Sequence, residues 1–453
     1  MSQQAETFGL YGSTATPEAQ REALRTGRVP VAVYGLGKMG LPLASVYAEV
    51  TGNVTGVDLD AARVERIEAG DCPVIGEPDL PERMAEVVEA GALAATTDGT
   101  RAAREARIHV VIVPTLVHEN GVPDLGAVRS VVETIASGLA PGDMVVIEST
   151  VPPRTCVDFV QPLLARESGL SEDEFGLAFC PERTKSGQAL ADITGTHPKV
   201  VGGVDAESTR VASLIYREIT SNELVELSDA TAAECVKVFE GVYRDVNIAL
   251  ANELGRFADE LGVDVVEAIE AANTQPVCDI HTPGIGVGGH CIPYYPYFLL
   301  SPFETDAPLM RTARGINDAM PLFAVNKLEE GLDRKGIPLH DARVALLGLT
   351  YRPGVEEIRK SPALPVAQRL AGAGATVYGV DPILHDTSAF PLTPAALDDL
   401  ATLDLDAVVF VTAHREFAAI DWAALDPLVV VDGRDALDLD GTDHDVYTIG
   451  RGH

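Results

Sequence analysis

Short apolar runs alternating with amphipathic stretches organise most of the chain. Val29-Pro30-Val31-Ala32-Val33-Tyr34 is one such run; it leads into Gly35-Leu36-Gly37-Lys38-Met39-Gly40 and then into a helical pattern over 41–50. Runs of this length, bounded by turn residues, fit strands buried on both faces, as parallel sheets require. Further runs predict strands over 53–57, 108–113 and 144–147, with helical segments between them. A second set begins near Arg343, with strands predicted over 344–349, 376–380, 407–412 and 428–432 and a helix over 362–372. Strands alternating with helices predict an α/β protein built from two Rossmann-like, doubly wound parallel-sheet domains.

Between the two sets the period changes. Val236, Phe239, Val242, Val246, Ala249, Leu250, Leu254 and Phe257 recur mostly every three or four residues, which predicts one long central helix over 231–261. A helix so long and apolar does not stand alone. It is expected to join the two sheet domains and to pair with its copy in a homodimer or higher homo-oligomer. The expected organisation is an N-terminal extension, loosely attached, over 1–28; a dinucleotide-binding domain over 29–220; a central helical dimerisation domain over 221–325; and a second Rossmann-like domain over 326–453.

Composition adds the setting. At 453 residues, 46% hydrophobic and 23% charged, the chain has ample core for two or three domains of an ordinary soluble protein. No apolar run approaches the roughly 18 residues of a membrane span. The first residues are polar, with Glu6, Glu18 and Glu22 and no signal-peptide pattern, so a cytoplasmic location is expected. The balance of 34 Lys+Arg against 68 Asp+Glu gives a net charge of −34, with the acids dispersed. Such a surface repels nucleic acid and anionic membrane, and neither is an expected partner. It suits either a cationic partner or a very salty cytoplasm. The second is favoured, because a Debye length of about 3 Å at 1 M salt screens the self-repulsion. Cys72, Cys156, Cys180, Cys235, Cys278 and Cys291 form no CxxC pair, so no metal site is expected and the thiols should be free.

Three features carry chemistry. Gly35-x-Gly37-x-x-Gly40 lies between a predicted strand and helix, where glycines allow a tight turn and close approach of a pyrophosphate to the helix N-terminus. Asp58 closes the second strand, 23 residues after Gly35, where a carboxylate accepts from the adenosine ribose 2′-OH. Its charge disfavours a 2′-phosphate, so NAD is expected over NADP. Lys38, Met39 and Arg63 join these residues as cofactor-binding candidates. Second, the run Gly284-Ile285-Gly286-Val287-Gly288-Gly289-His290-Cys291-Ile292-Pro293 delivers one cysteine. The plain alternative is a tight turn with a buried, inert thiol. Beside a redox cofactor, an accessible thiol suggests oxidation of an alcohol or aldehyde through a thiohemiacetal and a thioester. Third, Lys237 lies in the largely apolar stretch Glu234–Phe239; it either snorkels to solvent or stabilises an oxyanion in a cleft.

Over about residues 30–450 the chain resembles the UDP-glucose/GDP-mannose dehydrogenases. The resemblance rests on Gly35–Ala44, Val113-Pro114-Thr115, Glu148-Ser149-Thr150-Val151-Pro152-Pro153, Pro181-Glu182-Arg183, Lys237 with Tyr243–Ala249, Gly288-Gly289-His290-Cys291, Gly348–Arg352 and Arg359-Lys360-Ser361-Pro362, all in family order. It implies oxidation of the C6 alcohol of a nucleotide sugar to a carboxylate, with two NAD⁺ and one cysteine. By the same resemblance Cys291 is the covalent thiol, Lys237 the oxyanion-stabilising lysine, Glu182 the acid–base or water-positioning carboxylate, and Thr150 the holder of a catalytic water. Pro114, Thr115 and Thr150 are implied at the cofactor. Glu182, Arg183, Lys237, Arg244, Asn247, Gly288, Gly289, Arg352 and Arg359 are implied at a UDP-sugar substrate, with Arg434 near the nucleotide or an interface. Three departures stand out: Ser186 and Tyr295 replace acids, and Gly241 an asparagine, that UDP-glucose dehydrogenases carry. The sequences around Cys180–Gly187 and Gly288–Pro293 resemble the branch acting on UDP-N-acetylhexosamines. UDP-N-acetyl-D-mannosamine is the expected substrate, ahead of UDP-N-acetylglucosamine and UDP-glucose. An NAD-dependent nucleotide-sugar epimerase and a non-catalytic NAD-binding protein are the alternatives of other classes.

Overall fold

The computed structural model of the protein describes residues 8–185 and 187–452. The chain forms two compact units, one running through Phe239 with Tyr297–Pro302, the other made of Glu240–Pro296 and the chain from Phe303 onward. In the first unit the strands are β1 Val31–Tyr34, β2 Val54–Val57, β3 Leu93–Thr96, β4 Ile108–Val111, the small pair β5 Leu116–Val117 and β6 Pro123–Asp124, then β7 Met144–Ile147, β8 Gly176–Phe179, β9 Lys199–Gly203 and β10 Leu224–Glu226. Eight of them make one sheet in the order β10-β9-β8-β7-β4-β1-β2-β3. The expected parallel sheet extends from β3 to β8; β9 then pairs antiparallel to β8 and carries β10 with it. β1, β4, β7 and β8 are buried along their whole length, which is why they read as continuous apolar runs rather than alternating ones.

The N-terminal segment departs from expectation. Instead of hanging loosely, residues 8–28 are built into the first unit. Helix Pro17–Arg25 is capped by Thr16 and buries Ala23 and Leu24, while Leu10 joins the same core. Tyr11 Oη donates to Asp205 at 2.9 Å, and Arg25 pairs with Glu218 at 2.5 Å. Residues 1–7 of the expected extension lie outside the described residues.

The second unit holds β11 Arg343–Leu347, β12 Thr376–Val380, β13 Thr393–Pro394, β14 Ala407–Phe410, β15 Val429–Asp432 and β16 Asp445–Thr448, in the order β13-β12-β11-β14-β15-β16, all parallel. One face is covered by a 27-residue helix, Pro308–Arg334, which buries Met320, Ala324, Val325, Leu328 and Leu332 against the sheet. The residue 325 boundary expected from sequence falls inside this helix. The long central helix is present as Ala230–Arg256, also 27 residues, and its sequence runs from the first unit into the second. It stops five residues short of expectation: the chain turns at Phe257, and Ala258–Leu261 is a separate short helix ended by Gly262 in the left-handed region. Among the described residues no helix is long and apolar enough to cross a membrane, and no group of three or more His, Cys, Asp or Glu is placed to hold a metal ion.

Candidate active site

In the first unit the relevant loops all leave the C-terminal ends of β1, β4, β7 and β8, next to the point where chain order reverses between β1 and β4. Open α/β sheets bind ligands at such a switch point. The three motif glycines there have different reasons. Gly35 has φ 99°, and a Cβ on it would press on the carbonyl of Ile112; a Cβ on Gly40 would run into the carbonyl of Gly35. Those two serve the fold. Gly37 is different, because a Cβ there would meet nothing within 4 Å. Its missing side chain leaves an open approach to the start of helix Gly40–Thr51, which has no side-chain cap on its first N–H groups. That is a cradle for a pyrophosphate. Lys38 is exposed beside it and Met39 half-buried.

Asp58 Oδ2 accepts from the N–H of Leu36 at 2.8 Å and from Arg63 at 3.0 Å, and Oδ1 from the N–H of Asp60 at 3.0 Å. Partial burial pushes the carboxyl up, but these donors outweigh it and hold Asp58 below the usual carboxylate range. An ionised acceptor at the end of β2 fits a ribose diol. Ser149 joins the next two loops: its Oγ accepts from the N–H of Val113 at 2.8 Å, tying the Pro114-Thr115 turn to the loop bearing Thr150. Thr115 Oγ is buried without a hydrogen-bond partner. These residues fit NAD.

Lys237 does not snorkel. It is 8% exposed, and its Nζ donates to the carbonyl of Glu182 and lies 3.6 Å from Glu182 Oε2. Glu182 Oε1 also accepts from the Thr184 hydroxyl at 2.5 Å. Arg183 donates to the carbonyl of Pro198 at 2.9 Å. Beneath this loop lies a network that sequence reasoning missed. Lys199 Nζ reaches Glu148 at 2.9 Å and the carbonyls of Cys180 and Pro181 at 3.0 and 3.3 Å, and Tyr216 Oη donates to Glu148. Glu148 was visible as an acid at the end of an apolar strand; nothing in the sequence indicated that Lys199 and Tyr216 meet it.

In the second unit Cys291 is the exposed cysteine; the other five are buried or half-buried. The buried-thiol alternative therefore fails. The glycine run is used for its backbone freedom and for its missing side chains. Gly286 and Gly289 take φ 136° and 95°, and Cβ atoms on Gly288 and Gly289 would collide with Tyr351, Gly288 also with the carbonyl of Lys360. The glycines let the thiol-bearing loop lie against the loop after β11. Gly289 N donates to the carbonyl of Arg359 at 2.9 Å, and Glu357 bridges His290 at 2.7 Å and Arg359 at 3.3 Å. Two of the departures prove to be one packing event: a Cβ on Gly241 would overlap the ring of Tyr295, which is buried there, while Tyr295 N donates to the carbonyl of Cys291 at 2.9 Å. The third, Ser186, lies outside the described residues.

Gly286, Gly288, Asn252, Arg352 and Arg434 line a cavity of about 240 Å³. Arg434 donates to the carbonyls of Val411 at 2.7 Å and Gly286 at 3.4 Å, and burial pulls its guanidinium down to about 10. Two arginines facing glycine backbone suit a diphosphate. Asn247 has another occupation: its amide holds the 279–281 loop, donating to the carbonyl of Asp279 at 2.5 Å and accepting from the N–H of His281 at 2.9 Å. Arg244 is exposed on the same helix.

A switch-point cradle with an ionised ribose acid in one unit and an exposed thiol in a second Rossmann-like unit of the same chain define an NAD-dependent dehydrogenase. Residues 29–220, 231–319 and 345–439 match the NAD-binding, central and UDP-binding domain models of the UDP-glucose/GDP-mannose dehydrogenase family. The chain belongs to that family, whose members are NAD-dependent nucleotide-sugar dehydrogenases. It is 36% identical to a UDP-N-acetyl-D-mannosamine dehydrogenase of Pyrococcus horikoshii, over 93% of this chain and 99% of the relative. It is 33% identical to an NDP-N-acetyl-D-galactosaminuronic acid dehydrogenase of Ralstonia nicotianae, over 89% and 95%. Among solved structures, the UDP-D-ManNAc dehydrogenase from Pyrococcus horikoshii superposes with a TM-score of 0.87 at 35% identity, covering 94% of this chain and all of that one.

Proposed function

We propose that the protein oxidises the C6 alcohol of UDP-N-acetyl-D-mannosamine to UDP-N-acetyl-D-mannosaminuronate in two steps. The observation that carries this reading is the single exposed thiol, Cys291, on a glycine turn braced by the UDP-binding domain. The substrate is supported by the relatives named for it, which align over nearly the whole chain.

Each NAD⁺, when bound, accepts one hydride from C6. Between the two transfers, Cys291 Sγ adds to the aldehyde carbon and forms a thiohemiacetal, whose oxygen the Lys237 ammonium stabilises. Removing such a donor costs about 10²–10³ in rate. The second oxidation leaves a thioester on Cys291. Water held by Thr150 adds to it, Glu182 takes the proton, and the C–S bond breaks to release the uronate and the thiol. Tyr295 occupies Gly241's space without supplying a carboxylate, so Glu182, Thr150 and Lys237 carry hydrolysis. On this reading the enzyme works in the cytoplasm as a homodimer or larger homo-oligomer; the exposed Tyr243 and Leu250 on the central helix, and Phe257 just past its end, support association.

The test is an NADH assay in high salt with UDP-N-acetyl-D-mannosamine, UDP-N-acetylglucosamine and UDP-glucose, followed by product mass. Two NADH per sugar and a CH₂OH-to-COOH product are expected with the first. Absence of NADH with all three overturns the reading. An isomerised UDP-sugar formed without net NADH, and equally in Cys291→Ala, would point to an epimerase that retains its oxidised intermediate.

A further inference from the structure

The loop after β7 bends sharply. Arg154 adopts φ 74° although it is not glycine, and the chain winds into a helix immediately afterwards. Two N–H groups at that bend point into one carboxylate from a distant element: Arg154 N reaches Glu234 Oε2 at 2.5 Å and Cys156 N reaches Oε1 at 2.8 Å. Glu234 is 0% exposed. It lies three residues before Lys237 on the central helix, so the two share a helix face one turn apart. A buried carboxylate is costly unless hydrogen-bonded, and here both oxygens are bonded to backbone. The sequence Thr150-Val151-Pro152-Pro153 connects this anchor to the threonine assigned to water.

We propose that Glu234 is a positioning residue that clamps the Thr150–Cys156 loop to the helix carrying Lys237, holding the water-binding hydroxyl and the ammonium at a fixed separation. This inference rests on the dehydrogenase reading above. The groups facing Glu234 are few. The Cys156 thiol comes from the clamped loop, and its own burial, then Glu234, pushes it well up. Arg154 turns its guanidinium to Asp158 at 2.7 Å, and Asp158 adds negative charge. Cys235 is adjacent, and Lys237 is committed to Glu182. Burial, resisted by the donors of Cys156 and Arg154, pushes the Glu234 carboxyl up to about 7. A protonated carboxyl gives up one acceptor, so both arms of the clamp hold only when the group is ionised. Activity should therefore fall as pH drops through about 7.

The experiment is the pH profile of kcat with UDP-N-acetyl-D-mannosamine, alongside NAD affinity, for the full chain and two variants. Glu234→Gln mimics the protonated acid: kcat should fall by roughly 10²-fold, as small misplacements of catalytic groups do. It should also lose the acid limb near 7 while NAD affinity stays unchanged. Cys156→Ser puts a stronger donor beside the carboxylate, favours its ionised form and should shift the limb to lower pH. Wild-type kcat and limb in Glu234→Gln, or an unmoved limb in Cys156→Ser, overturns the clamp. If Glu234→Gln fails to fold, judged by lost NAD binding, Cys156→Ser decides alone. Silence of the wild type itself overturns the dehydrogenase reading and the clamp with it; active wild type with unresponsive variants overturns the clamp only.

Discussion

Both units place an aspartate directly after the strand neighbouring their first Rossmann strand, and the two acids have opposite fates. Asp58 follows β2 and keeps part of its carboxylate accessible, with Arg63 as its charged partner. Asp381 follows β12 and is consumed internally. Oδ2 accepts from the N–H groups of Leu349 and Thr350 at 2.7 and 3.1 Å and lies 3.2 Å from His414 Nε2, while Oδ1 accepts from Ile383 and Leu384 at 3.0 and 2.9 Å. Burial pushes the Asp381 carboxyl up, but His414 and the N–H donors overwhelm it and hold the group far below the usual range. The first turns differ in the same sense. Where Gly37 leaves an open approach, the second unit has Thr350, whose hydroxyl bonds His414 at 2.8 Å. No helix starts there either; the next begins at Ala363. One fold thus serves twice, once as a dinucleotide cradle and once with that cradle filled from within. In the second unit the cavity lies elsewhere, lined by Arg352 and Arg434.

The largest test of this contrast is Asp381→Asn. The Asp381 carboxylate accepts from the N–H groups of Leu349, Thr350, Ile383 and Leu384, and each bond to a charged group that is lost costs about 1.5–3 kcal/mol, to be read from chemical denaturation, with NAD affinity unchanged. A shift in cofactor preference without loss of stability would break the comparison. The sign with pH follows: Asp381 has a lowered carboxyl, so its stabilisation is complete above the ordinary carboxylate pKa near 4 and is lost as pH falls below it toward its own value. Next is Gly37→Ala. The thermal midpoint should be unchanged, but NAD affinity should drop about tenfold to a hundredfold, the range expected when bonds to charged oxygens worth about 1.5–3 kcal/mol are lost. Gly348→Ala should do the reverse, because at φ 86° its Cβ would press on Thr412. Unfolding of Gly37→Ala would mean that Gly37 serves the fold after all. A smaller effect is expected for Asp58→Ala, a loss of about tenfold in NAD affinity with a relative gain for NADP, since Arg63 is released to meet a 2′-phosphate. Equal discrimination in mutant and wild type would remove Asp58 from the ribose site. Smallest is the pH response of NAD binding: with Asp58 held ionised, affinity should be flat from pH 8 down to about 5 and weaken only below the carboxylate range.

Much of this was legible in the sequence because it is local. A strand buried on both faces must be apolar throughout, so β1, β4, β7 and β11 announced themselves. The expected parallel order failed only at β9, where hydrogen bonding to β8 decides direction and no residue pattern records it. The long helix was readable from its period, but its end at Arg256 was not, since Phe257 and Leu261 continue the apolar spacing. Cys291, Lys237 and Asp58 stood out as reactive or charged residues in apolar or glycine-rich settings, whereas Glu182 was legible only through the resemblance to the family. Glu234, Lys199 and Tyr216 did not, because a side chain whose partner lies about 50 to 80 residues away looks like any other glutamate, lysine or tyrosine.

The sequence by itself determined the two sheets, the helix between them, the dinucleotide turn with its acid, and the thiol on its glycine run. Each rests on spacing within a few residues, where backbone sterics and burial leave little choice. Only the tertiary structure decided which glycines serve the fold and which leave room for a ligand, which of the two strand-end aspartates stays accessible, and that Gly241 and Tyr295 are one contact. Those outcomes depend on what a side chain meets from elsewhere in the chain, and the cost of leaving a buried polar group without such a partner is what selects them.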